Sequence, residues 1–213
     1  MKNDLDAVEL RVLGCLLEKE LATPEYYPLS LNALLNACNQ KTNRAPVMQV
    51  DEAAVLAALK SLKQRRYVYQ SDAGRVPKYW QSFAKDHDLD GHEAALLSVL
   101  LLRGPQTAGE LRLRADSLCP FDSLEQVGAT LDHLIAAGMA AQLARQPGQK
   151  EQRAMHLLAA PVGEPGPAIA PPGRPESMAD DERLARLEQA VAALREELDQ
   201  VKSELQALHL SRQ

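Results

Sequence analysis

The sequence predicts a mostly α-helical fold with small β-wings, an α+β class in which a winged helix-turn-helix unit occurs twice in tandem and a coiled-coil helix follows. Three observations predict it. Aromatic residues are 4% of a chain that is 46% hydrophobic, so the core draws on Leu, Ala and Val, a mix that favours helices. Leu5-Asp6-Ala7-Val8-Glu9 recurs 84 residues later as Leu89-Asp90-Gly91-His92-Glu93. From Leu184 onward, apolar residues repeat in unbroken steps of three and four.

The first helix of each copy opens on an Asp with a Glu three residues into the helix, Asp6/Glu9 and Asp90/Glu93. That is a capping box, in which the two side chains satisfy each other's orphan amides. Shorter second helices are expected at Ser30–Cys38 (apolar Leu31, Leu34, Leu35, Cys38) and Thr107–Ala115 (apolar Leu111). The third pair matches at an offset of 72. Asp51 precedes Val55, Leu59 and Leu62 as Ser123 precedes Val127, Leu131 and Leu134, each a core-facing stripe. The first copy therefore holds 84 − 72 = 12 extra residues between its outer helices, placed around Leu21–Leu29 and Asn39–Val50. Extended chain closes each copy. Tyr67–Gln70, a turn at Asp72–Arg75 and Val76–Trp80 read as a hairpin, repeated more weakly by Met139–Arg145, a turn at Pro147-Gly148 and Arg153–Leu158.

The expected divisions are 1–85 for the first winged-helix domain, 86–160 for the second, 161–177 for a linker and 178–213 for the coiled coil. Six prolines and three glycines between Pro161 and Pro175 sustain neither helix nor ladder. The tail's seam is Leu184, Leu187, Val191, Leu194, Leu198, Val201, Leu205 and Leu208. Its narrow a/d stripe points to a homodimer. A parallel pair sets Arg183 against Glu188 and Glu197 against Lys202. The alternative is one amphipathic helix folded back on its own domains.

Composition narrows the function. The formal charge is −5, which excludes a generally basic coat. Only residues 1–85 are net basic, with twelve cations against nine carboxylates. No apolar run approaches the ~18 residues of a membrane span, and the start lacks a signal-peptide core. Cys15, Cys38 and Cys119 form no CxxC pair, so buried thiols are expected rather than a metal site. The chain reads as cytoplasmic, without a cofactor.

The stretch Glu18-Lys19-Glu20-Leu21-Ala22-Thr23-Pro24-Glu25-Tyr26-Tyr27-Pro28-Leu29-Ser30-Leu31-Asn32, continued by Ala37–Val47, resembles the bacterial YceH family over about residues 5–160. Ala22 stands where that family tends to carry a second Thr. The resemblance implies tandem winged helices in a bacterial cytoplasmic protein and supplies no reaction.

Two sets of residues are candidates for function. Asn39, Gln40, Lys41, Thr42, Asn43 and Arg44 occupy the turn between the second and third helices. Their amides and cations suit phosphates, base edges or a partner protein. The structural alternative has Asn39 and Asn43 capping and Arg44 pairing with Glu18, Glu20 or Glu25. The second set is basic: Lys60, Lys63, Arg65, Arg66, Arg75 and Lys78, which with Lys41 and Arg44 form a candidate nucleic-acid surface. Against it, the third helix begins Asp51-Glu52-Ala53-Ala54 and offers no base reader in its first two turns. His87–Glu93 lacks the spacing and partners of a zinc site, and no nucleophile–base pair supports an enzyme. Two readings stay open: a dimeric DNA-associated factor of low sequence specificity, towards which the usual employment of the fold leans, and winged helices used as protein-interaction modules.

Overall fold

Capping decides where the helices begin. Asp6 Oδ1 accepts the amides of Val8 and Glu9 at 2.8 Å each, while the Glu9 carboxylate accepts the Asp6 amide at 2.7 Å. Asp90 and Glu93 repeat the exchange at 2.8 and 2.9 Å. In this computed structural model, which describes residues 4–145 and 151–159, the elements run α1 (Ala7–Ala22), a 3-10 turn (Pro24–Tyr26), β1 (Leu29–Ser30), α2 (Leu31–Cys38), α3 (Glu52–Gln64), β2 (Val68–Ser71), β3 (Lys78–Gln81), α4 (Phe83–Asp86), α5 (Gly91–Arg103), α6 (Ala108–Ala115), α7 (Leu124–Ala136), β4 (Ala140–Gln142) and β5 (Ala154–His156). The class is α+β. The chain divides into two units, Met1–Val162 and Gly163–Gln213. The linker and coiled-coil seam lie outside the described residues, as does the turn at Pro147-Gly148.

The internal repeat extends further than the two matched helix pairs. Ser30 caps α2 and Thr107 caps α6, an offset of 77 between those of the outer helices. Seven of the extra residues therefore lie between α1 and α2, and five between α2 and α3. β1 joins β3 antiparallel, Leu29 opposite Tyr79, giving a sheet of order β1-β3-β2. In the second half Gln106, just before α6, bridges Ala154 of β5 in the same way, and β4 pairs with β5.

The ends of α3 and α7 match bond for bond. The Tyr67 amide reaches Leu62 O and the Met139 amide reaches Leu134 O, each at 2.9 Å. The residue before each must turn left-handed. It is Gly138 (φ 71°) in the second half but Arg66 (φ 65°) in the first, where a side chain adds strain of about 1 kcal/mol.

The halves share one core, centred on α1 against α5. Val55, Leu59 and Leu62 of α3 and Val127, Leu131 and Leu134 of α7 are all buried there. A Cβ at Gly14 would stand 3.0 Å from Leu102 Cγ, so only glycine permits this approach of α1 to α5. The offset of 84 makes Ser98 its equivalent, also fully buried. The Ala45 amide donates to Leu102 O at 2.8 Å, and the Leu5 amide to Leu158 O at 3.0 Å. The expected boundary at 85/86 falls inside α4. Phe83 of α4 is buried with its ring edge-on to Tyr67 at 4.9 Å.

Candidate functional site

Arg44 leaves the surface. It is 6% exposed, and its guanidinium grips the Glu18 carboxylate in two bonds of 2.9 and 2.7 Å. It also donates to Ala37 O at 3.1 Å and Gln40 Oε1 at 2.9 Å, and it approaches Cys15 Sγ at 3.6 Å. Of the three carboxylates the sequence offered, Glu18 is the partner. Burial is the largest influence and would lower the Arg44 pKa; the bonds to and charge of Glu18, together with neighbouring Cys15, outweigh it and raise it.

Arg11, buried on α1, clamps the same loop from below, donating to Cys38 O at 3.1 Å and Pro46 O at 2.6 Å. Burial lowers its pKa. Asn39 ties the loop's ends together: its amide donates to Val50 O and its carbonyl accepts the Val50 amide, both at 2.8 Å. Asn43 takes a left-handed φ of 61° and accepts from Arg103 of α5. The Cys38 thiol is pushed up by its hydrogen bond to Cys15 and by burial. Among the six loop residues, Lys41 and Thr42 are exposed and have no hydrogen-bond partner among the described residues. The loop is thus held by its own polar side chains. Arg11, Cys15 and Cys38 belong to this cluster; the sequence analysis expects the two cysteines as buried thiols and does not single out Arg11. Arg11 was findable as a cation on an otherwise apolar helix face.

The basic set does not form one patch. Arg65 pairs with Asp4, and Lys63 donates to Gln70 Oε1 at 2.6 Å. Lys60, Arg66, Arg75 and Lys78 are exposed. Strand register sets Lys78 opposite Ser71 and Trp80 opposite Tyr69, and alternation places these four on one sheet face. Gln70, which holds Lys63, points to the other. Lys78 is therefore separated from the cations of α3. The outward stripe of α3 reads Ala53, Leu56, Ala57, Lys60, Lys63 and Gln64, with Leu56 41% exposed and Val47, in the segment leading to the helix, 55% exposed.

Residues 5–149 match the family described as "Protein of unknown function, DUF480". The chain belongs to the DUF480 family. It is 48% identical over 197 residues to a UPF0502 protein of Solibacter usitatus, covering 92% of this chain and 95% of the relative. A UPF0502 protein of Geobacter metallireducens is 50% identical over 197 residues, 90% of each chain. One from Vibrio parahaemolyticus is 44% identical over 217 residues, covering 98% of this chain and 99% of the relative. The DUF480 match spans both halves of the described unit and includes the Arg44–Glu18 pair.

Other features of the DUF480 chain have local explanations. His92 Nε2 lies 3.2 Å from Pro120 O and its ring meets Phe121 edge-on, while His87 Nδ1 lies 2.8 Å from Phe83 O. Asp90 and Glu93 form the capping box of α5. No group of three or more metal-ligating side chains gathers among the described residues. No helix there is long and apolar enough to cross a membrane.

Proposed function

We propose that this DUF480 protein is a non-catalytic binding module of the bacterial cytoplasm. Its two halves are tandem winged-helix units, and the outward stripe of α3 contacts a partner protein. One observation carries this reading: the part of α3 that a DNA reader would lay in the major groove presents the methyl groups of Ala53 and Ala57 and the side chain of Leu56. Base edges are read by Arg, Lys, Asn or Gln, whereas an exposed apolar stripe suits a protein surface. The internal bonding of the Asn39–Arg44 loop adds support, since its polar groups hold the loop that leads into α3. In this reading the heptad seam from Leu184 to Leu208 joins two chains. Deleting residues 178–213 then converts a dimer to a monomer by light scattering.

A second reading has one observation in its favour. Lys60, Lys63 and Arg66 cluster at the end of α3, and phosphate contacts need no base reader. Fluorescence anisotropy of mixed-sequence duplex DNA at two salt concentrations separates the readings. The expected result is no salt-sensitive binding, together with a stoichiometric partner that co-purifies with the wild type and is lost from Leu56→Asp. Micromolar binding that falls with salt and is abolished by Lys60→Glu, Lys63→Glu and Arg66→Glu would replace the protein reading with the nucleic-acid one.

A further inference from the structure

The hairpin β2–β3 carries an aromatic pair on its outer face. Tyr69 and Trp80 stand opposite each other on the ladder, their rings 23° from parallel with centroids 6.0 Å apart. Tyr69 is 43% exposed, and Trp80, the chain's single tryptophan, is only partly buried. Burying an indole is among the larger apolar gains open to a small fold, yet this one walls an open groove of about 1010 Å3 between the hairpin, α1, α4 and the start of α5. Leu21 and Leu89, both half-buried, line it with aliphatic surface above the buried Leu17 and Ala94. None of the α3 stripe takes part.

Charge selects the occupant. Glu20, Asp86, Asp88 and Asp90 border the groove against a single cation, Lys85. Two of these carboxylates have structural duties: Asp90 caps α5 and Glu20 accepts from the Gln81 side-chain Nε2. The side-chain carboxylates of Asp86 and Asp88 have no hydrogen-bond or ion-pair partner among the described residues. Such a border repels phosphates and attracts cations. Against a flat aromatic wall the favoured cation is a guanidinium. It is planar, weakly hydrated, stacks on an indole and pairs with carboxylates at its edge.

We propose that this groove docks an extended segment of a partner protein in which arginine neighbours an aliphatic residue. The guanidinium stacks on Trp80 beside Asp86 and Asp88, and the aliphatic side chain rests on Leu21 and Leu89. The site is separate from the α3 stripe, so either can fail alone.

Trp80 reports directly on occupancy, because all tryptophan emission of the full chain comes from it. The probe is an acetylated, amidated peptide of alternating arginine and leucine, compared with the same peptide carrying citrulline, the neutral isostere, at every arginine. The expected result is a saturable change in emission with Kd below about 100 µM and binding at least tenfold weaker for citrulline. Raised salt weakens the arginine peptide only. Asp86→Asn with Asp88→Asn lowers affinity about tenfold without moving the thermal midpoint. Asn suits the left-handed φ of 53° at position 88, so the variant tests charge rather than folding. Trp80→Ala, followed by calorimetry, removes saturable binding, and Leu56→Asp leaves it intact. Equal affinity for the citrulline peptide, no saturation by 1 mM, or unchanged binding by Trp80→Ala overturns the proposal. So does a single-stranded oligonucleotide that quenches Trp80 and competes with the peptide.

Discussion

Where the first half places Arg11 on α1, the second half places Ala95 on α5; in the same way Cys15 corresponds to Val99, Glu18 to Leu102 and Cys38 to Ala115. The frame around these positions is shared, with matching caps, turns and buried leucines. An apolar set therefore serves the frame well, and the polar set in the first half answers to something the second half lacks. That is the longer α2–α3 loop, which Arg44, Arg11 and Asn39 hold by seven hydrogen bonds to Glu18, Ala37 O, Cys38 O, Pro46 O and Val50. Buried ion pairs contribute little net stability over well-packed apolar residues, but breaking one is severe. The pair fixes a conformation more than it strengthens the core.

The comparison can be broken hardest at Glu18. Glu18→Leu, which copies Leu102, leaves the Arg44 charge buried and is expected to lower unfolding free energy by about 3–5 kcal/mol in a denaturant titration. Adding Arg44→Met should recover most of that loss while freeing the loop, seen as faster amide exchange at Val50. A double variant no more stable than the single would mean that the loop itself supports the core.

The hairpins differ next. Register makes Gln81 of β3 and His156 of β5 equivalent, since each opposes the first residue of its partner strand. Gln81 is fully engaged, by the Tyr27 hydroxyl, Glu20 and the Ala84 amide. His156 Nδ1 is buried with no partner among the described residues, and burial lowers its pKa to about 4. The folded state thus holds His156 neutral while the unfolded chain protonates it near 6.5. Its contribution is complete above that pH and is lost as pH falls towards 4, by on the order of 1 kcal/mol per unit. His156→Gln should flatten this part of the stability profile; an unchanged slope from pH 6.5 to 4 would assign the acid sensitivity elsewhere.

Two smaller changes sharpen the contrast. Gly14→Ala should destabilise by about 1–2 kcal/mol, the overpacking against Leu102 outweighing the gain in helix propensity, whereas Ser98→Ala should fall within about 1 kcal/mol of wild type. Arg66→Gly should stabilise by about 0.5–1 kcal/mol by relieving the left-handed turn, and Gly138→Ala should do the reverse. Thermal midpoints read both pairs.

Much of this frame was legible because its signals are local. Asp6, Ser30, Asp51, Thr107 and Ser123 announce helix starts by chemistry acting within three residues, and the Val55–Leu62 stripe depends only on helical period. β1 was missed because two residues, Leu29 and Ser30, become a strand only by meeting β3, some fifty residues away. α4 is a single turn fixed by Phe83 entering the core. The fate of Arg44 was named as one of two options, and sequence could not choose between them. Its choice of Glu18 over Glu20 or Glu25 depends on the face of α1 that the loop crosses. Tyr69 and Trp80 were read as strand residues, and nothing local marks an aromatic pair as the wall of a groove.

The bond from Leu5 to Leu158, with the parallel bridge from Leu5 to Ala159, has a consequence for synthesis. The edge that receives the beginning of this unit is translated almost last. Domains of a growing chain commonly settle in order as they leave the ribosome, but here Gly14 awaits Leu102 and Leu5 awaits Leu158. The emerging first half must keep its α1 face uncovered, or shielded by a chaperone, until α5 arrives. The same closure brings the two ends of the unit side by side, so a circular permutant opened at Asp72–Arg75 should reach the same fold with its order of assembly reversed.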